Sequence, residues 1–297
     1  MERPEGKTSC ERKHPWFIAE ALISNFSGGE IRKSPLVYRE LELAFAKEQE
    51  KEGANLLEFR PVGSRKLVDA KYEGEVLGVS PGEMVFLPEY TAPFTLASIS
   101  LAERSGKAGE TEMRFSYSPA LCARIEAGVP EFFGQLGLER IKLAEEGFGE
   151  SLSRDIDTVR NAEKFLSEIG LSENTLTVVN DTKPIVRYLE EEGLSGIERE
   201  KVLKAIDRGT EIGQDILGKV SREGRLLLGE LGESPEISAS GKRVKALYLN
   251  GSSERIRDAL PGAVFSPTLV RGLSFYGAYG ENATTVFEIF PKEGASG

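Results

Sequence analysis

Thr268-Leu-Val-Arg271-Gly272-Leu-Ser-Phe275-Tyr276-Gly, followed after a short gap by Thr285-Val-Phe-Glu288-Ile-Phe, is the stretch on which the reading of this chain turns. It places an arginine beside a glycine on a strand or turn, backs it with two aromatic rings, and adds a second apolar strand containing a glutamate. A guanidinium offers a planar donor fork to a carboxylate or phosphate. Gly272 lets backbone come close to a ligand. Phe275 and Tyr276 supply an apolar wall with one polar tip. The plain alternative is an ordinary antiparallel hairpin carrying one surface arginine.

Two upstream segments add polar groups of the opposite kind. Met84-Val-Phe-Leu-Pro88-Glu89-Tyr-Thr91-Ala92 reads as a strand ending at Pro-Glu and then a helix start, with Thr91 as its cap. A carboxylate and a hydroxyl fixed at a strand end suit an ammonium group. Met113 to Glu126, a short loop, and Glu131 to Glu139 read as two antiparallel strands. Arg124, Glu126, Gln135 and Glu139 alternate there with apolar residues, so the period of two predicts that they share a face. A one-residue slip at Gly134 would turn Gln135 and Glu139 to the other face.

Taken in order, these three segments resemble the catalytic domain of histidyl-tRNA synthetase and its non-ligase paralogue, the regulatory subunit of ATP phosphoribosyltransferase. Leu87-Pro-Glu-x-Thr91 is similar to the family's Leu-Arg-Pro-Glu-x-Thr. Arg124-Ile-Glu126 is similar to the Arg-x-Glu of class II motif 2, Glu131-Phe with Gln135-x-Gly-x-Glu139 to the strand that follows it, and Arg271-Gly-Leu-x-Phe-Tyr276 to Arg-Gly-Leu-x-Tyr-Tyr. The resemblance runs from about residue 35 to 290 and implies an α/β (α+β) fold, an antiparallel sheet flanked by helices with a helical insertion. It also implies roles. Glu89, Thr91, Gln135, Glu139, Arg271 and Tyr276 are expected to bind an amino acid, histidine in the family, and Arg124 with Glu126 to be a remnant of a nucleotide site.

The chain departs from the ligase pattern at the point where the ligase needs cations. Its motif 2 connection is Ala127-Gly-Val-Pro130, with no basic residue, and neither a Gly-Gly-Arg-Tyr-Asp strand nor a motif 3 arginine follows Glu288. Adenylation builds negative charge on a reacting phosphate, and preorganised cations are its main stabiliser. The expectation is therefore a regulatory subunit that binds histidine, performs no chemistry and partners the transferase's catalytic subunit, with self-association through the motif 1 region. The enzyme reading, a histidyl-tRNA synthetase-like ligase or a piece of one, stays open as the alternative. So does a degenerate relative that binds another amino acid or serves only as a scaffold.

Composition narrows the partners. The 297 residues, 39% hydrophobic and 29% charged, fit one large or two modest folded domains. A formal net charge of −10 opposes a polyanion such as tRNA, and no Lys/Arg cluster is dense enough to compensate. The polar N-terminus and the apolar stretch broken by Glu20 read as neither secretory signal nor membrane span, so the cytoplasm is the expected compartment. One histidine, His14, and two cysteines, Cys10 and Cys122, leave no material for a His-dependent triad or a zinc centre, and no cofactor is called for.

Along the chain, residues 1–34 form a leader of unknown role, 35–182 and 242–297 the synthetase-like core, and 183–241 an inserted helical subdomain. Spacing predicts helices over 36–52, 151–169, 184–192, 197–208, 212–231 and 253–260, and strands over 56–62, 176–180 and 244–249, with a hairpin around Ser80. Asp155 and Asp157 fall in a predicted first helical turn, where the dipole favours them.

Overall fold

The computed structural model describes residues 35–57, 60–68, 76–79, 83–105, 113–126, 128–141, 148–233, 236–249, 251–270 and 285–292. These fall into two compact units that part after Glu173. The expected leader, the turn at Ser80 and the Arg271–Tyr276 stretch lie outside the described residues.

The N-terminal unit opens with helix α1 (Pro35–Lys51). Its Leu41 and Phe45 lie one turn apart and turn inward, Phe45 to 8% exposure. Gly53, at φ 76°, ends the helix by letting the chain fold back, with its N–H on the Glu50 carbonyl and that of Ala54 on Gln49. Two short strands, β1 (Asn55–Leu56) and β2 (Val62–Ser64), stand where spacing predicts one. Arg60-Pro61 lies between the two, and proline has no N–H to give a ladder. Strand β3 (Met84–Phe86) pairs antiparallel with β2 and leads through Pro88-Glu89 into helix α2 (Thr91–Ser105).

Strands β4 (Met113–Glu126) and β5 (Val129–Ile141) form the long antiparallel hairpin that the alternation predicts, with β1 added in parallel on the outer side of β4. Gly134 causes no slip: it pairs with Leu121 in register. The irregularity falls instead between Tyr117 and Ala120 on the facing strand, around Pro119, where a ladder hydrogen bond has no donor.

Helix α3 (Phe148–Glu168) begins earlier than spacing predicts, so Asp155 and Asp157 lie beyond its first turn and are not the N-terminal acids expected. It packs on α1 through Phe45 and Phe165, whose rings meet edge-on at 5.2 Å, and through Gln49 Nε2, which donates to Asn161 Oδ1 at 3.1 Å.

Between these two helices lies a buried charge. Glu48 is wholly covered and its carboxylate is ion-paired to Lys51 (2.8 Å) and Lys164, while Lys164 also reaches Glu52 at 3.3 Å. The lysine hydrogen bonds outweigh burial and lower the Glu48 pKa from 4.5 to about 2. A buried carboxylate without such partners would be strongly destabilising, so α1 and α3 are tied by charge as well as by rings.

In the C-terminal unit, strand β6 (Thr175–Asp181) runs between β7 (Val264–Phe265), parallel to it, and β8 (Thr285–Pro291), antiparallel along its whole length. Helices α4 (Lys183–Glu191) and α5 (Gly196–Arg208) follow. Ser195 and Glu198 start α5 with a reciprocal capping box. The single helix expected over 212–231 is two, α6 (Gln214–Leu217) and α7 (Arg222–Glu233). The break falls at Ser221, whose N–H (2.6 Å) and hydroxyl (2.7 Å) are both taken by Glu192, and whose Oγ accepts the Gly224 N–H.

The strand expected over 244–249 is helix α8 (Lys242–Tyr248), a correction with a clear cause. Val244 and Tyr248, one helical turn apart, are both fully buried, and Glu230 accepts the first-turn N–H of Arg243 while pairing its guanidinium. Asp181, at the end of β6, accepts the Lys183 N–H (3.1 Å) and the hydroxyls of Ser252 and Ser253. One buried carboxylate thus fixes the starts of both α4 and α9 (Ser252–Ala259).

The charge between α1 and α3 makes a pH prediction. Glu48 binds its proton less readily folded, about 2, than unfolded, near 4.5. Its stabilisation is therefore complete above 4.5 and lost as pH falls towards 2. Because both lysines are about half exposed, we expect a loss of about 1–2 kcal/mol over that window. Urea midpoints at pH 6, 4 and 2.5 should fall for the native chain and fall by less for Glu48→Gln, which starts lower at pH 6 and keeps only the contribution of other carboxylates such as Glu198.

Candidate functional site

The β3–α2 corner and the β4–β5 hairpin bring most of the predicted site residues together within the N-terminal unit. The chain crosses at Leu87, whose carbonyl accepts the Ala123 N–H at 3.2 Å, so the Pro-Glu segment lies against the middle of β4. Tyr90, completely buried, donates its hydroxyl to the Leu121 carbonyl at 3.3 Å. Arg124 donates Nε to the Pro88 carbonyl at 3.1 Å. The residue preceding Glu89 and the residue following it are thus both pinned to β4.

Register decides which side chains meet. Cys122 faces Phe133, Arg124 faces Glu131 and Ala120 faces Gln135, so Cys122, Arg124, Phe133, Gln135 and, further along β5, Glu139 share one face. Contacts agree: Cys122 Sγ lies 3.2 Å from Gln135 Oε1, and the Arg124 guanidinium sits over the Phe133 ring at 5.4 Å. Thr91 does not cap its own helix. Its hydroxyl donates to Glu139 Oε1 at 2.8 Å, a contact between residues 48 apart in sequence. Glu89 and Thr91 are half-buried, as are Gln135 and Glu139. Thr91 and Glu139 are thus in contact, Gln135 lies on the same face of β5, and Glu89 is near enough to Cys122 to act on its thiol.

Carboxylates, an amide and a hydroxyl can chemically accept hydrogen bonds from a cationic donor, an α-ammonium group among others. Arg124 is 8% exposed and tied to Pro88, so in this structure its evident work is to hold the strand end that carries Glu89. Glu126 occupies the last rung of β4 opposite Val129, its side chain outside the described residues. Arg271 and Tyr276 lie outside them too. The chain leading to Arg271 is described as far as Val270, which is fully buried, and Asn180 holds that approach by donating Nδ2 to the Leu269 carbonyl at 3.0 Å.

Cys122 was legible in the sequence only as a small core residue. The structure makes it part of the site's floor, and burial pushes its thiol up to about 12, with Arg124 opposing and the Glu89 carboxylate adding to the rise. The Thr91–Glu139 bond was not legible either, because nothing in either segment names its distant partner. Among the described residues no group of three His, Cys, Asp or Glu side chains is placed to hold a metal ion, and no helix is long and apolar enough to cross a membrane.

Solved structures share this architecture. A Bacillus halodurans protein, described as an ATP phosphoribosyltransferase regulatory subunit/histidyl-tRNA synthetase, is 17% identical with a TM-score of 0.62. The match covers 86% of this chain and 68% of that one. A histidine–tRNA ligase subunit from Alicyclobacillus acidocaldarius is 17% identical with a TM-score of 0.57, covering 98% and 85%. A histidyl-tRNA synthetase from Nostoc is 11% identical, also at 0.57, covering 86% and 61%. No protein-family profile and no curated protein matches the chain. The fold is that of the histidyl-tRNA synthetase-like class II proteins, a mixed α/β architecture with small, mainly antiparallel sheets.

Two measurements check the site's geometry. Removing the buried Arg124 by Arg124→Ala leaves the Pro88 carbonyl without its donor and should cost about 2–3 kcal/mol of unfolding free energy in urea titration. In a Cys10→Ser chain, Cys122 should resist alkylation at pH 8 until denaturant is added; rapid native labelling contradicts its placement.

Proposed function

We propose that this chain is a non-catalytic, amino-acid-binding regulatory protein, which binds histidine and acts on the catalytic subunit of ATP phosphoribosyltransferase in histidine biosynthesis. The observation that carries the reading is the turn between β4 and β5. Only Ala127 and Gly128 separate Glu126 from Val129, Gly128 takes φ 81°, and the connection contains no cation. A hairpin this tight offers no loop to reach over a nucleotide, and no positive group to stabilise charge on a reacting phosphate. The Glu89–Thr91–Gln135–Glu139 patch nevertheless keeps the acceptors that an ammonium group needs.

The resemblance also implies ligand-binding roles for Arg271 and Tyr276. The fold shared with the Bacillus halodurans protein supports the assignment, as does the net charge of −10, which disfavours tRNA. The setting is the cytoplasm, with a hetero-oligomer built on the transferase and self-association through α1. Coupling of a histidine pocket to a protein interface works through unequal affinity for two states, typically about 1–3 kcal/mol.

Calorimetry should show saturable histidine binding, weakened roughly tenfold by Glu139→Gln or Arg271→Gln, each removing one charge-assisted bond. Pyrophosphate exchange with histidine and ATP should be absent. Exchange above background would establish the ligase reading instead, and a chain that neither binds histidine nor associates with the transferase defeats the proposal.

A further inference from the structure

One hydrogen bond on the site's face fixes a choice that residue types leave open. Gln135 is an amide, and an amide offers a carbonyl acceptor at one end and an NH2 donor at the other. Which end meets a ligand depends on what holds the opposite end. Here Oε1 is taken: Cys122 Sγ donates to it at 3.2 Å from the neighbouring strand, 13 residues away in sequence. The register makes the two diagonal neighbours on one face, since Cys122 stands opposite Phe133 and Gln135 opposite Ala120.

The thiol holds that end as a donor. Cys122 is fully buried, and burial keeps its thiol protonated, with the pKa pushed up to about 12. A neutral thiol has one hydrogen to give, and its sulfur is a weak acceptor. Turned about, the amide would set its NH2 against the S–H, donor against donor. The carbonyl-inward orientation is therefore favoured, and it leaves Nε2 on the side away from the thiol. Gln135 is only half-buried, so this donor is within reach of a ligand. Further along the same face Glu139 Oε1 accepts the Thr91 hydroxyl, so the face carries a donor and an acceptor at separate places.

We propose that Cys122 is a positioning residue: its S–H holds the Gln135 carbonyl inward, and the outward NH2 recognises a hydrogen-bond acceptor of the bound amino acid. That acceptor is a carboxylate oxygen or an unprotonated ring nitrogen, each of which offers a lone pair to an N–H donor. The proposal rests on the amino-acid-binding role proposed for this face and states which polarity Gln135 reads. An amide free to adopt both orientations is competent only part of the time, and apparent affinity falls by that fraction.

The first measurement needs no ligand. In a Cys10→Ser chain Cys122 is the one remaining thiol. Its S–H infrared band should lie at lower frequency than in the same chain with Gln135→Leu, where the acceptor is gone. Coincident bands overturn the proposal. The second measurement is calorimetry at pH 8 with histidine and with histidinol, which lacks the carboxylate. Histidine affinity should fall roughly tenfold or more in Gln135→Glu, which puts a carboxylate oxygen where the NH2 stood. It should fall roughly two- to threefold in Cys122→Ala and recover in Cys122→Ser, whose hydroxyl still donates. Unchanged or tighter binding by Gln135→Glu shows that Gln135 accepts from the ligand and overturns the proposal, as does equal loss in both Cys122 variants. Histidinol binding that is indifferent to Gln135→Glu assigns the acceptor to the carboxylate, and binding that is sensitive assigns it to the ring; either supports the proposal. The Cys122 variants and the S–H band decide the matter if Gln135→Glu does not fold. A chain that ignores histidine loses the histidine reading alone, and the variants are then read with whichever standard amino acid raises Tm. If none does, nothing is recognised here and this proposal falls too.

Discussion

The antiparallel pairing of β4 with β5 is the constraint on which the N-terminal unit is organised. Because successive side chains on a strand point to opposite faces, fixing one rung fixes every rung on that side of the irregularity. One register therefore sets Cys122, Arg124, Phe133, Gln135 and Glu139 on one face and Arg114, Leu138 and Arg140 on the other. The Pro88–Glu89 corner attaches to β4 through the Ala123 N–H, the Arg124 side chain and the Leu121 carbonyl, and α1 and α3 close on the second face. Two unlike polar environments arise from one hairpin with no special machinery beyond alternation.

Charge is managed differently in the two units, and each solution follows from burial. Glu48 is covered completely and needs two lysines to remain ionised. Asp181 is covered as completely but is served by two hydroxyls and a backbone N–H, donors that leave it able to start two helices. Glu192 and Glu230, closer to solvent, take backbone N–H groups where α7 and α8 begin. In the last three cases a carboxylate settles an element boundary, which local propensity alone leaves loose.

Much of the fold was legible in the residues. The period of 3.6 in Ile156, Val159, Phe165 and Leu166 announced α3, and the alternation from 113 to 139 announced the hairpin. The failures have physical causes. Val244 to Leu249 is short and apolar enough to suit a strand or a buried helix, and periodicity over so few residues does not separate them. The split between α6 and α7 came from Glu192 capturing Ser221, a partner 29 residues away. At the site, the Pro-Glu-x-Thr segment and the β5 strand showed which polar groups are present, but not the Thr91–Glu139 bond or the burial of Arg124. The pairing of Arg114 with Arg140 could have been found by counting outward from the Ala127-Gly128 turn, had the irregularity at Pro119 been placed first.

By itself the sequence determined the periodicities, the turn that lacks cations, the surplus of acidic residues and the ordered segments that resemble a synthetase, since all of these are properties of residue type and spacing. Tertiary structure alone decided which face each polar group occupies, which carboxylates are buried with partners, and that Arg114 and Arg140, paired across the open end of the hairpin, share a cavity with α3. Those outcomes depend on register and long-range packing. A bulge of one residue or a helix brought from far along the chain changes them without changing any local pattern.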